Sequence, residues 1–466
     1  MPAVTLAIPR MLMLKHTLSR CPTCHAECPA EVRRVEGEPP RVFLSRTCPQ
    51  HGETSVCIAS DARFYWLAQG NPANAACGCA PGSACRASDS APAGTLGRNA
   101  PGHGGAPFET LSTCLALIEV VNSCNLACPT CYADSPLGAG GAVDAVPLGD
   151  LQRRIQGVID RKGPIEILQL SGGEPTLHPQ FFELLEWAQA NPKILYVLVN
   201  TNGVRVAHDD SFAGQLAVAT RRGGLQLYLQ FDGPQLEGQR FLRATDLRET
   251  RRQAVERCRA MNLPVTLAMT VTPENLPFLW SAVEFGLGFP NVRGICFQPL
   301  FGSGRLPTGP ADPSDPWRPL NVADILLAVA GQSQGRLKFD DFTPLPCGDP
   351  NCAAIGYLLK VNGTIASVSQ FVDFKQLQGF LHNKVTYNLE DLSRCGCDNE
   401  PLGDLLKKFE LDESHTFRLL VKPFMDAWTW DQDRIDRCCT HVIRPDGKLD
   451  SFCRYYAGFP DTKQAP

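Results

Sequence analysis

Long apolar segments, an excess of basic residues and a leader pattern are all missing from this sequence, and each absence removes a class of protein. No apolar run approaches the roughly 20 residues that a membrane-spanning helix needs, so we do not expect a transmembrane protein. The net charge of −4 and the pI near 6.2 provide no basic surface for nucleic acid, which we do not expect as a partner. Residues 1–14 are mildly apolar but lack a basic n-region and a small-residue cleavage site, so we expect no signal peptide.

The overall composition is that of an ordinary globular protein, except for its cysteines. A chain of 466 residues with 44% hydrophobic and 20% charged residues is long enough for two or three domains. Its 21 cysteines come in C-x2-C, C-x-C and C-x3-C-x2-C groups rather than in a short, densely crosslinked segment. Such groups are typical of metal ligands in a reducing cytosol, so we expect metal sites and a cytoplasmic protein rather than a disulfide framework.

The most informative group is a loop that contains Cys124, Cys128 and Cys131, directly after the apolar run Leu115–Val121. This run is typical of a buried strand, and the spacing lets all three thiols turn toward one cluster. Iron–sulfur clusters are normally held by four cysteine thiolates, so three leave one iron open to a small molecule. A structural zinc loop or a set of core cysteines is the alternative.

Strands and helices alternate from residue 115 to residue 299, which predicts an α/β fold. The strands are short, continuous apolar runs, as expected when helices cover a parallel sheet. Helical periodicity between them includes a face that contains Cys258, which we interpret as a core residue. Six such units predict a partial (β/α)6 barrel of the TIM type, with reactive loops at the carboxyl ends of its strands. The predicted strands are Leu115–Val121, Ile165–Leu170, Ile194–Val199, Leu225–Gln230, Val265–Val271 and Gly294–Gln298.

Polar residues and glycines follow several of these strands and predict a ligand site. Gly172, Gly173, Glu174 and Pro175 follow the second strand, where two glycines would let a ligand approach the backbone and Glu174 could accept hydrogen bonds from an ammonium group. Asn202 and Asp232 follow the third and fourth strands, and Thr270 lies near the end of the fifth. Ordinary turn chemistry is the alternative, since Asn-Gly and Asp-Gly are favoured turn dipeptides.

A separate metal site is predicted near the start of the chain. Cys21 and Cys24 form a C-x2-C pair, and Cys48 follows with His51, an arrangement typical of a zinc ribbon or rubredoxin. The fourth ligand is either His51 or Cys28. The segments between these ligands alternate like a small hairpin around Gly37. We therefore expect one mononuclear zinc or iron ion held by a small N-terminal module.

Two further groups of cysteines could hold one or two auxiliary clusters. The first precedes the barrel, next to a stretch over residues 87–107 that is rich in Ala, Gly, Pro and Ser and is typical of a flexible connection. The alternative for its last member, Cys114, is a thiol in the core. The second lies in the tail, and Cys438 is the alternative to Cys439 as its third ligand. No role is assigned to the tail pair Cys395 and Cys397. The two sets are Cys77, Cys79, Cys85 and Cys114, and Cys347, Cys352, Cys439 and Cys453.

The predicted domain order follows from these features. It comprises an N-terminal module over 1–70, a cysteine-containing linker over 71–112, a core barrel over 113–300, a Pro- and Gly-rich connection with a helix over 301–345, and a cysteine-rich tail over 346–466.

The loop of Cys124, Cys128 and Cys131, together with the Gly-Gly-Glu-Pro motif, resembles the signature of the radical S-adenosylmethionine (SAM) superfamily. This resemblance implies that the three cysteines hold a [4Fe–4S] cluster whose open iron binds SAM, which one electron cleaves to a 5′-deoxyadenosyl radical. It also implies that Glu174 with its motif binds the methionyl amine, and that the end of the third strand, at Asn202, binds the ribose and carboxylate of SAM. The residue before the last cysteine is usually aromatic in this superfamily, but it is Thr130 here.

The order of cysteine groups along the whole chain resembles a subgroup that contains tetraether-lipid synthases and pterin methylases. This resemblance implies a transferase that forms a carbon–carbon bond at, or methylates, an unactivated carbon of a small-molecule or lipid substrate. It also implies an electron donor such as flavodoxin or ferredoxin. We assign no catalytic side chain beyond the ligands of the cluster. A peptide-modifying radical SAM maturase and a non-enzymatic iron–sulfur or zinc scaffold remain the alternatives.

Overall fold

The computed structural model describes residues 11–66, 113–138, 143–306, 319–345, 349–361, 364–371 and 415–459. The described chain forms a four-stranded sheet and a twelve-stranded sheet. Several cysteines discussed above lie outside the described residues, so their roles stay predictions. These are Cys77, Cys79, Cys85, Cys347, Cys395 and Cys397.

The four-stranded sheet is antiparallel and contains the predicted hairpin. Alternate residues such as Val32, Val42 and Leu44 point into its small core, while polar residues between them face outward. Val35 pairs with Arg41 at the end of this hairpin. The strands, in spatial order, are β1 (Met11–Arg20), β2 (Glu27–Val35), β3 (Arg41–Cys48) and β4 (Gly52–Ala59).

The N-terminal sheet packs against the C-terminal segment through polar contacts. The guanidinium of buried Arg46 donates to the carbonyl oxygen of Ala427 at 2.5 Å. Lys15 forms an ion pair with buried Asp431 at 2.7 Å, and Thr17 donates to the same carboxylate. Because a buried charge is costly without a partner, these contacts fix the orientation of the module on the tail.

Six parallel strands form the centre of the large sheet, in sequence order and as predicted. The second and third run two residues further than predicted, through Gly172 and Thr201, so they reach the candidate site. Their bounds are β5 (Leu115–Val121), β6 (Ile165–Gly172), β7 (Ile194–Thr201), β8 (Leu225–Gln230), β9 (Val265–Val271) and β10 (Val292–Pro299).

Helices between these strands cover one face of the sheet. The predicted face of the first helix is buried, as is Cys258 on the sixth, which confirms a core position for that thiol. No described helix combines the length and the apolar character that crossing a membrane requires. The helices are α1 (Leu148–Lys162), α2 (Phe181–Ala190), α3 (Val204–His208), α4 (Asp210–Thr220), α5 (Glu237–Arg243), α6 (Arg248–Ala260), α7 (Leu279–Leu287) and α8 (Val322–Gln332).

The tail adds a parallel strand to each edge of the six-stranded core. The strand β14 (Thr416–Val421) pairs parallel to β10, and β15 (Thr440–Ile443) pairs parallel to β5. Lys422 donates to the hydroxyl of Thr440 at 2.6 Å, so the two outer strands meet across the opening of the barrel. The remaining elements are β11 (Thr343–Pro344), β12 (Ala354–Val361), β13 (Thr364–Ser367), α9 (Gln432–Asp436), β16 (Leu449–Ser451) and α10 (Phe452–Ala457).

The fold is therefore α/β, with the predicted six-unit partial barrel and a small N-terminal module. The sequence analysis did not predict the two tail strands, which extend the parallel array to eight. A parallel array ends its strands at one edge, so polar residues from many strands meet there.

Candidate functional site

A cavity of about 230 Å³ lies inside the barrel, and all eight parallel strands contribute side chains to it. Alternate residues of each strand face the cavity, and the others pack against the helices. The cysteine loop after β5 lines the same cavity, together with the segment that follows β10. The cavity thus brings together residues far apart in the chain, from Leu115 to Phe452.

The three predicted cluster ligands all line this cavity. Cys124, Cys128 and Cys131 are free thiols, and Cys128 is buried. Burial, together with the neighbouring Glu174 and the other two cysteines, raises the pKa of Cys124 to about 11. Three convergent thiols on one short loop suit an iron–sulfur cluster, because such clusters bind thiolates at several irons.

Backbone pairing holds this loop at both ends. The amide of Cys124 donates to the carbonyl of Pro136 at 2.9 Å. Cys131 and Arg305 exchange two backbone hydrogen bonds of 2.9 Å. Gly304 has φ +62°, and a Cβ there would lie 2.2 Å from the carbonyl oxygen of Cys131. Only glycine fits this close approach, so the segment after β10 clamps the cysteine loop.

The two glycines of the Gly-Gly-Glu-Pro motif lie in close contact with the backbone around the cysteine loop. A Cβ at Gly172 would lie 2.2 Å from the carbonyl oxygen of Val121, and one at Gly173 would lie 2.1 Å from that of Ser123. Glycine is therefore needed at both positions for this backbone to pack against the motif. Both glycines also line the cavity, so the motif joins the loop to the site.

Glu174 lines the cavity but is also a structural residue. Its buried carboxylate accepts hydrogen bonds from the hydroxyls of Thr176 and Thr201, each at 2.7 Å, and from the amide of Asn202 at 2.7 Å. Burial raises its pKa, and these hydrogen bonds oppose the rise. Pro175 begins a short 3-10 helix behind Glu174, and it is not among the residues that line the cavity.

Asn202 lies where the sequence analysis predicted, beside the cysteine loop. Its side-chain amide donates to the side chain of Asn125 at 2.6 Å and lies 3.9 Å from the sulfur of Cys124. Its side-chain oxygen accepts from the amide of Val204 at 3.0 Å, at the start of α3. The amide group is thereby held at the edge of the proposed cluster.

Asp232 does not have the predicted position in the cavity. Its carboxylate is completely buried and forms a bidentate ion pair with Arg243, at 2.6 and 3.0 Å. Arg243 lines the cavity, whereas Asp232 lies behind it. The correction has a physical reason: a buried carboxylate needs a partner, and the guanidinium at the end of α5 is close enough to supply one.

Arg243 is a site residue that the sequence analysis missed. Coulombic interaction with Asp232 and a side-chain hydrogen bond to Cys128 raise its pKa, although burial opposes the rise. It therefore connects the predicted cluster to the end of β8. Arg243 is the last residue of α5. The sequence does not mark it as a site residue, because arginines are common near the ends of helices.

Aromatic residues form another wall of the cavity. Tyr132 is enclosed by Phe301, Phe452 and Tyr456, with the Tyr456 ring edge-on at 4.8 Å between centroids. Burial raises the pKa of Tyr132 to about 12, so its hydroxyl is protonated at neutral pH. Thr130, at the position that is usually aromatic, donates to the carbonyl of Leu242 at 3.1 Å.

Polar side chains line the barrel interior opposite the aromatic wall. Gln298 donates to the hydroxyl of Tyr228 at 2.9 Å, and Gln226 donates to Thr266. The neutral thiol of Cys296 lies beside Tyr228, and burial raises its pKa to about 11. Such amides and hydroxyls provide fixed donors and acceptors for a polar ligand.

The N-terminal ligands form a compact group. Cys21, Cys24, Cys48 and His51 have ligand atoms within 4.8 Å of one another. The sulfurs of Cys24 and Cys48 are 3.7 Å apart, and Nδ1 of His51 lies 3.6 and 3.5 Å from the sulfurs of Cys21 and Cys48. A tetrahedron with zinc–sulfur bonds of about 2.3 Å and zinc–nitrogen bonds of about 2.0 Å requires similar separations, so the group fits one ion.

The structure favours His51 over Cys28 as the fourth ligand. Cys28 is buried nearby, but its sulfur faces the carbonyl of Ala26 at 3.4 Å. We expect Cys48→Ser and His51→Ala variants of the full chain to lose about one bound metal atom, because three ligands hold a structural ion poorly. Elemental analysis after dialysis against a chelator measures this loss. Cys28→Ser should keep the metal, and a loss in that variant alone would make Cys28 the ligand instead.

The described tail cysteines are buried near one another. Burial raises the pKa of Cys438 to about 11 and of Cys453 to about 12, and Cys352 raises both further. Cys438 also raises the pKa of Cys453, and both Cys352 and Cys438 raise the pKa of Cys439. The backbone carbonyl of Cys439 accepts hydrogen bonds from the amides of Cys114 and Leu115. Both candidates for the third position, Cys438 and Cys439, therefore lie near Cys352.

Cys114 lies at the start of β5 and is buried. Its amide donates to the carbonyl of Cys439 at 3.0 Å. Its predicted partners in an auxiliary cluster lie outside the described residues. That four-thiol set therefore stays a prediction.

Two family models match parts of the chain. Residues 118–285 match the Radical SAM superfamily, and residues 13–60 match the HMPTM N-terminal zinc ribbon domain. The first match covers most of the six-stranded core with its cysteine loop. The second covers the four-stranded sheet with Cys21, Cys24, Cys48 and His51.

Several characterised proteins are similar to this chain. The 7,8-dihydro-6-hydroxymethylpterin dimethyltransferase of Methanocaldococcus jannaschii is 24% identical over 95% of this chain and 93% of its own length. The GTP 3′,8-cyclase of Chlorobaculum tepidum is 36% identical over 19% of this chain and 25% of its own length. Among solved structures, Streptococcus suis SuiB bound to S-adenosylmethionine is 16% identical, with a TM-score of 0.31, over 41% of this chain and 40% of that chain.

Proposed function

We propose a reaction for this chain on the premise that it belongs to the radical SAM superfamily and is an enzyme. The reaction is transfer of a methyl group to an unactivated carbon of a small pterin-like molecule, with formation of a carbon–carbon bond. One SAM is cleaved to 5′-deoxyadenosine and methionine as the hydrogen atom is removed, and a second SAM gives the methyl group and leaves as S-adenosylhomocysteine. The electron donor supplies one electron for each SAM. The support for this substrate is the similarity to a pterin dimethyltransferase along nearly the whole chain. The amides and hydroxyl of Gln226, Gln298 and Tyr228 in the cavity lining also offer hydrogen bonds to the ring edge of a pterin.

The observation that carries the proposal is the convergence of Cys124, Cys128 and Cys131 on one cavity within the barrel. These residues would hold a [4Fe–4S] cluster with an open iron. When bound, the cluster and SAM supply a 5′-deoxyadenosyl radical, which removes a hydrogen atom from an unactivated carbon. The remaining side chains bind and orient, since the cofactor supplies the difficult chemistry.

The residues around the cluster have distinct positioning roles in this proposal. Asn202 presents its amide to SAM from the edge of the cysteine loop, and Arg243 donates toward Cys128 and the cavity. Glu174 holds the ends of β6 and β7 together beneath them. The aromatic wall around Tyr132 keeps water out of the cavity.

Product analysis tests the proposed reaction. The reconstituted protein is incubated without oxygen with methyl-deuterated SAM, a chemical reductant and 7,8-dihydro-6-hydroxymethylpterin, and the pterin is analysed by mass spectrometry. We expect one or two labelled methyl groups on the pterin. Cleavage of SAM with an unlabelled pterin would contradict the pterin assignment. If a lipid or a peptide is supplied instead of the pterin and becomes labelled, the corresponding alternative is favoured.

The Glu174→Gln variant should separate SAM orientation from folding. The amide of glutamine keeps the shape of the side chain but places an NH2 where one carboxylate oxygen now accepts hydrogen bonds. We expect unchanged iron content and SAM binding weakened by about tenfold, the effect of about 1.4 kcal/mol. Equilibrium dialysis with labelled SAM measures the affinity. An unchanged affinity together with a lower melting temperature would leave Glu174 as a structural residue only.

A second cluster is proposed in the tail, with Cys347, Cys352, Cys439 and Cys453 as its ligands and Cys438 as the alternative to Cys439. A metal that binds only the folded state would stabilise this segment, because binding free energy adds to folding free energy. We expect the quadruple Ser variant to lose about four irons beyond the wild type while the first cluster still cleaves SAM. Iron counting on purified protein measures this, and equal iron in both proteins would exclude the site.

The remaining partners follow from the cofactors. Reduction of the cluster requires a one-electron donor, for which a flavodoxin or a ferredoxin is the proposed partner. A reducing cytoplasm is the proposed location, because it keeps cysteine ligands as thiols before clusters are inserted. The substrate is a small molecule.

A further inference from the structure

We propose that Arg46 and Asp426 are positioning residues for the cysteine loop, although neither is among the residues that line the barrel cavity. Arg46 belongs to the N-terminal module, and Asp426 belongs to a turn of the tail over residues 425–430, the tail turn. The inference rests on the proposed function in one respect, that the three cysteines of the loop hold the cluster that binds SAM. It goes further, because it makes the N-terminal metal site act on that loop.

The clamp segment, residues 302–305, contacts the cysteine loop directly. Its Arg305 exchanges two backbone hydrogen bonds of 2.9 Å with Cys131. Cys131 lines the cavity and is one of the proposed cluster ligands. Because a well-packed interior has few voids, a displacement of the clamp segment is passed on to this ligand rather than absorbed.

Asp426 holds the clamp segment in place. Its buried carboxylate accepts a hydrogen bond from the amide of Gly302 at 2.7 Å through one oxygen, Oδ2. The other oxygen accepts from the amides of Trp428 and Thr429 at 3.0 and 3.1 Å, and from the hydroxyl of Thr429 at 3.0 Å. One carboxylate thus closes the tail turn and joins it to the clamp segment. Hydrogen bonds to a charged group are stronger than those to a neutral one.

Arg46 holds the tail turn from the N-terminal module. Its side chain is buried, and its guanidinium donates to the carbonyl oxygens of Ala427, at 2.5 Å, and of Trp428, the two residues that follow Asp426. It also donates to the carbonyl of Arg20 at 3.0 Å within its own module. Burial lowers the pKa of Arg46 to about 10, so the guanidinium stays charged at neutral pH. A planar guanidinium can reach several acceptors at once, which suits it to join the two segments.

The N-terminal metal ligands lie next to the residues that make these contacts. Arg46 lies two residues before Cys48, and Arg20 directly precedes Cys21. The guanidinium of Arg20 also lies over the ring of Trp430 in the tail turn, at 5.8 Å from its centroid. An ion bound by Cys21 and Cys48 would join the ends of β1 and β3, and would thereby fix both arginines.

Loss of the ion or of either side chain would remove an anchor of the clamp segment while the cluster ligands stay intact. Coupling between separate sites typically changes affinity by about 5- to 150-fold. We expect an effect near the lower end of that range, because Ser303 also donates to the carbonyl of Tyr456 and gives the clamp segment a second anchor.

The Asp426→Asn variant tests the last contact of this series. Asparagine has one side-chain oxygen, which the three donors of the tail turn would retain, so its NH2 group would face the amide of Gly302 without accepting from it. We expect amide hydrogens over residues 300–306 and 124–136 to exchange at least about tenfold faster, because a hydrogen bond to a charged group is lost. Hydrogen-exchange mass spectrometry on the reconstituted protein measures this.

The same variant should bind SAM about tenfold more weakly at full iron content. The EPR spectrum of the reduced cluster, recorded at increasing SAM concentrations, reports binding at the cluster itself. Thr429→Val is the matched control, since it removes a hydroxyl bond to the same carboxylate but leaves the bond from Gly302. It should change neither hydrogen exchange at the cysteine loop nor SAM affinity.

Arg46→Lys and His51→Ala test the earlier contacts. A lysine keeps the charge but cannot donate to both carbonyls of the tail turn in the geometry of a guanidinium. His51→Ala removes a ligand of the N-terminal ion. We expect both variants to speed exchange over residues 425–430 and 300–306 and to weaken SAM binding by about tenfold. Arg46→Lys combined with Asp426→Asn should weaken SAM binding no further than the stronger single variant, because residues in one series of contacts do not act additively.

Hydrogen exchange needs no substrate, so failure of the inference is distinguishable from failure of the proposed function. Faster exchange and weaker SAM binding in the variants, with a wild type that cleaves SAM but methylates no pterin, would uphold the inference and overturn the reaction. Unchanged exchange at the cysteine loop in Asp426→Asn, or multiplied effects on SAM affinity in the double variant, would overturn the inference. If Asp426→Asn does not fold, Arg46→Lys decides by the same two readouts.

Discussion

Replacement of Cys124, Cys128 and Cys131 together by Ala should remove about four irons and abolish reductive cleavage of SAM. The three thiols line one cavity on a loop held by backbone pairing to Pro136 and Arg305, so the loop can keep its path without the metal. Iron counting and chromatographic detection of 5′-deoxyadenosine measure the two effects. We expect no detectable product, because no other described group in this cavity could hold the cluster.

The matched control for the triple variant is Cys258→Ala. Cys258 is buried in the core on α6, away from the cavity lining, and should cost some stability without any loss of iron. Normal amounts of 5′-deoxyadenosine from the triple variant would contradict the assignment of the cluster. So would a loss of iron in the control as large as that in the triple variant.

Replacement of Arg243 by Leu should destabilise the protein by about 3–5 kcal/mol, the cost of breaking a buried ion pair. The variant leaves the carboxylate of Asp232, which is completely buried, without its bidentate partner. It also removes a donor near Cys128 at the cavity. Denaturant unfolding measures the loss of stability, and SAM affinity reports the change at the cavity.

Two comparisons isolate this effect. Arg252→Leu removes an exposed arginine from the ion pairs of α6 and should change stability by less than about 1 kcal/mol. The double variant Arg243→Leu with Asp232→Asn should recover part of the lost stability, because no buried charge remains unpaired. It should not recover SAM affinity. A double variant no more stable than Arg243→Leu would argue against the ion pair as the cause.

The barrel core could be predicted from the sequence because its signals are local. Each of the six strands is a continuous apolar run, and the helices between them have clear faces, such as that of α1. The loop of Cys124 and the motif at Glu174 follow strand ends directly. Since parallel strands end at one edge, placing both motifs at one site needed only the strand order.

The two tail strands could not be predicted for the opposite reason. β14 and β15 are six and four residues long, and their pairing partners, β10 and β5, lie far away in the sequence. Short strands have weak periodicity, and parallel pairing over long separations leaves no local signal.

The role of Asp232 illustrates a second limit. An Asp-Gly at a strand end predicts an acceptor near the cavity, but the guanidinium that binds it comes from the end of α5. Only the fold brings Arg243 to this carboxylate. The motif glycines likewise have a packing role that the sequence did not indicate, because the backbone of Ser123 approaches Gly173 closely.

The most direct test of the central claim is whether the wild-type protein, reconstituted with iron and sulfide without oxygen, converts SAM and a reductant into 5′-deoxyadenosine. We expect at least one 5′-deoxyadenosine per protein molecule, identified by its mass, and none when the reductant is omitted. Fully reconstituted protein that contains a [4Fe–4S] cluster but forms no 5′-deoxyadenosine under these conditions would contradict it.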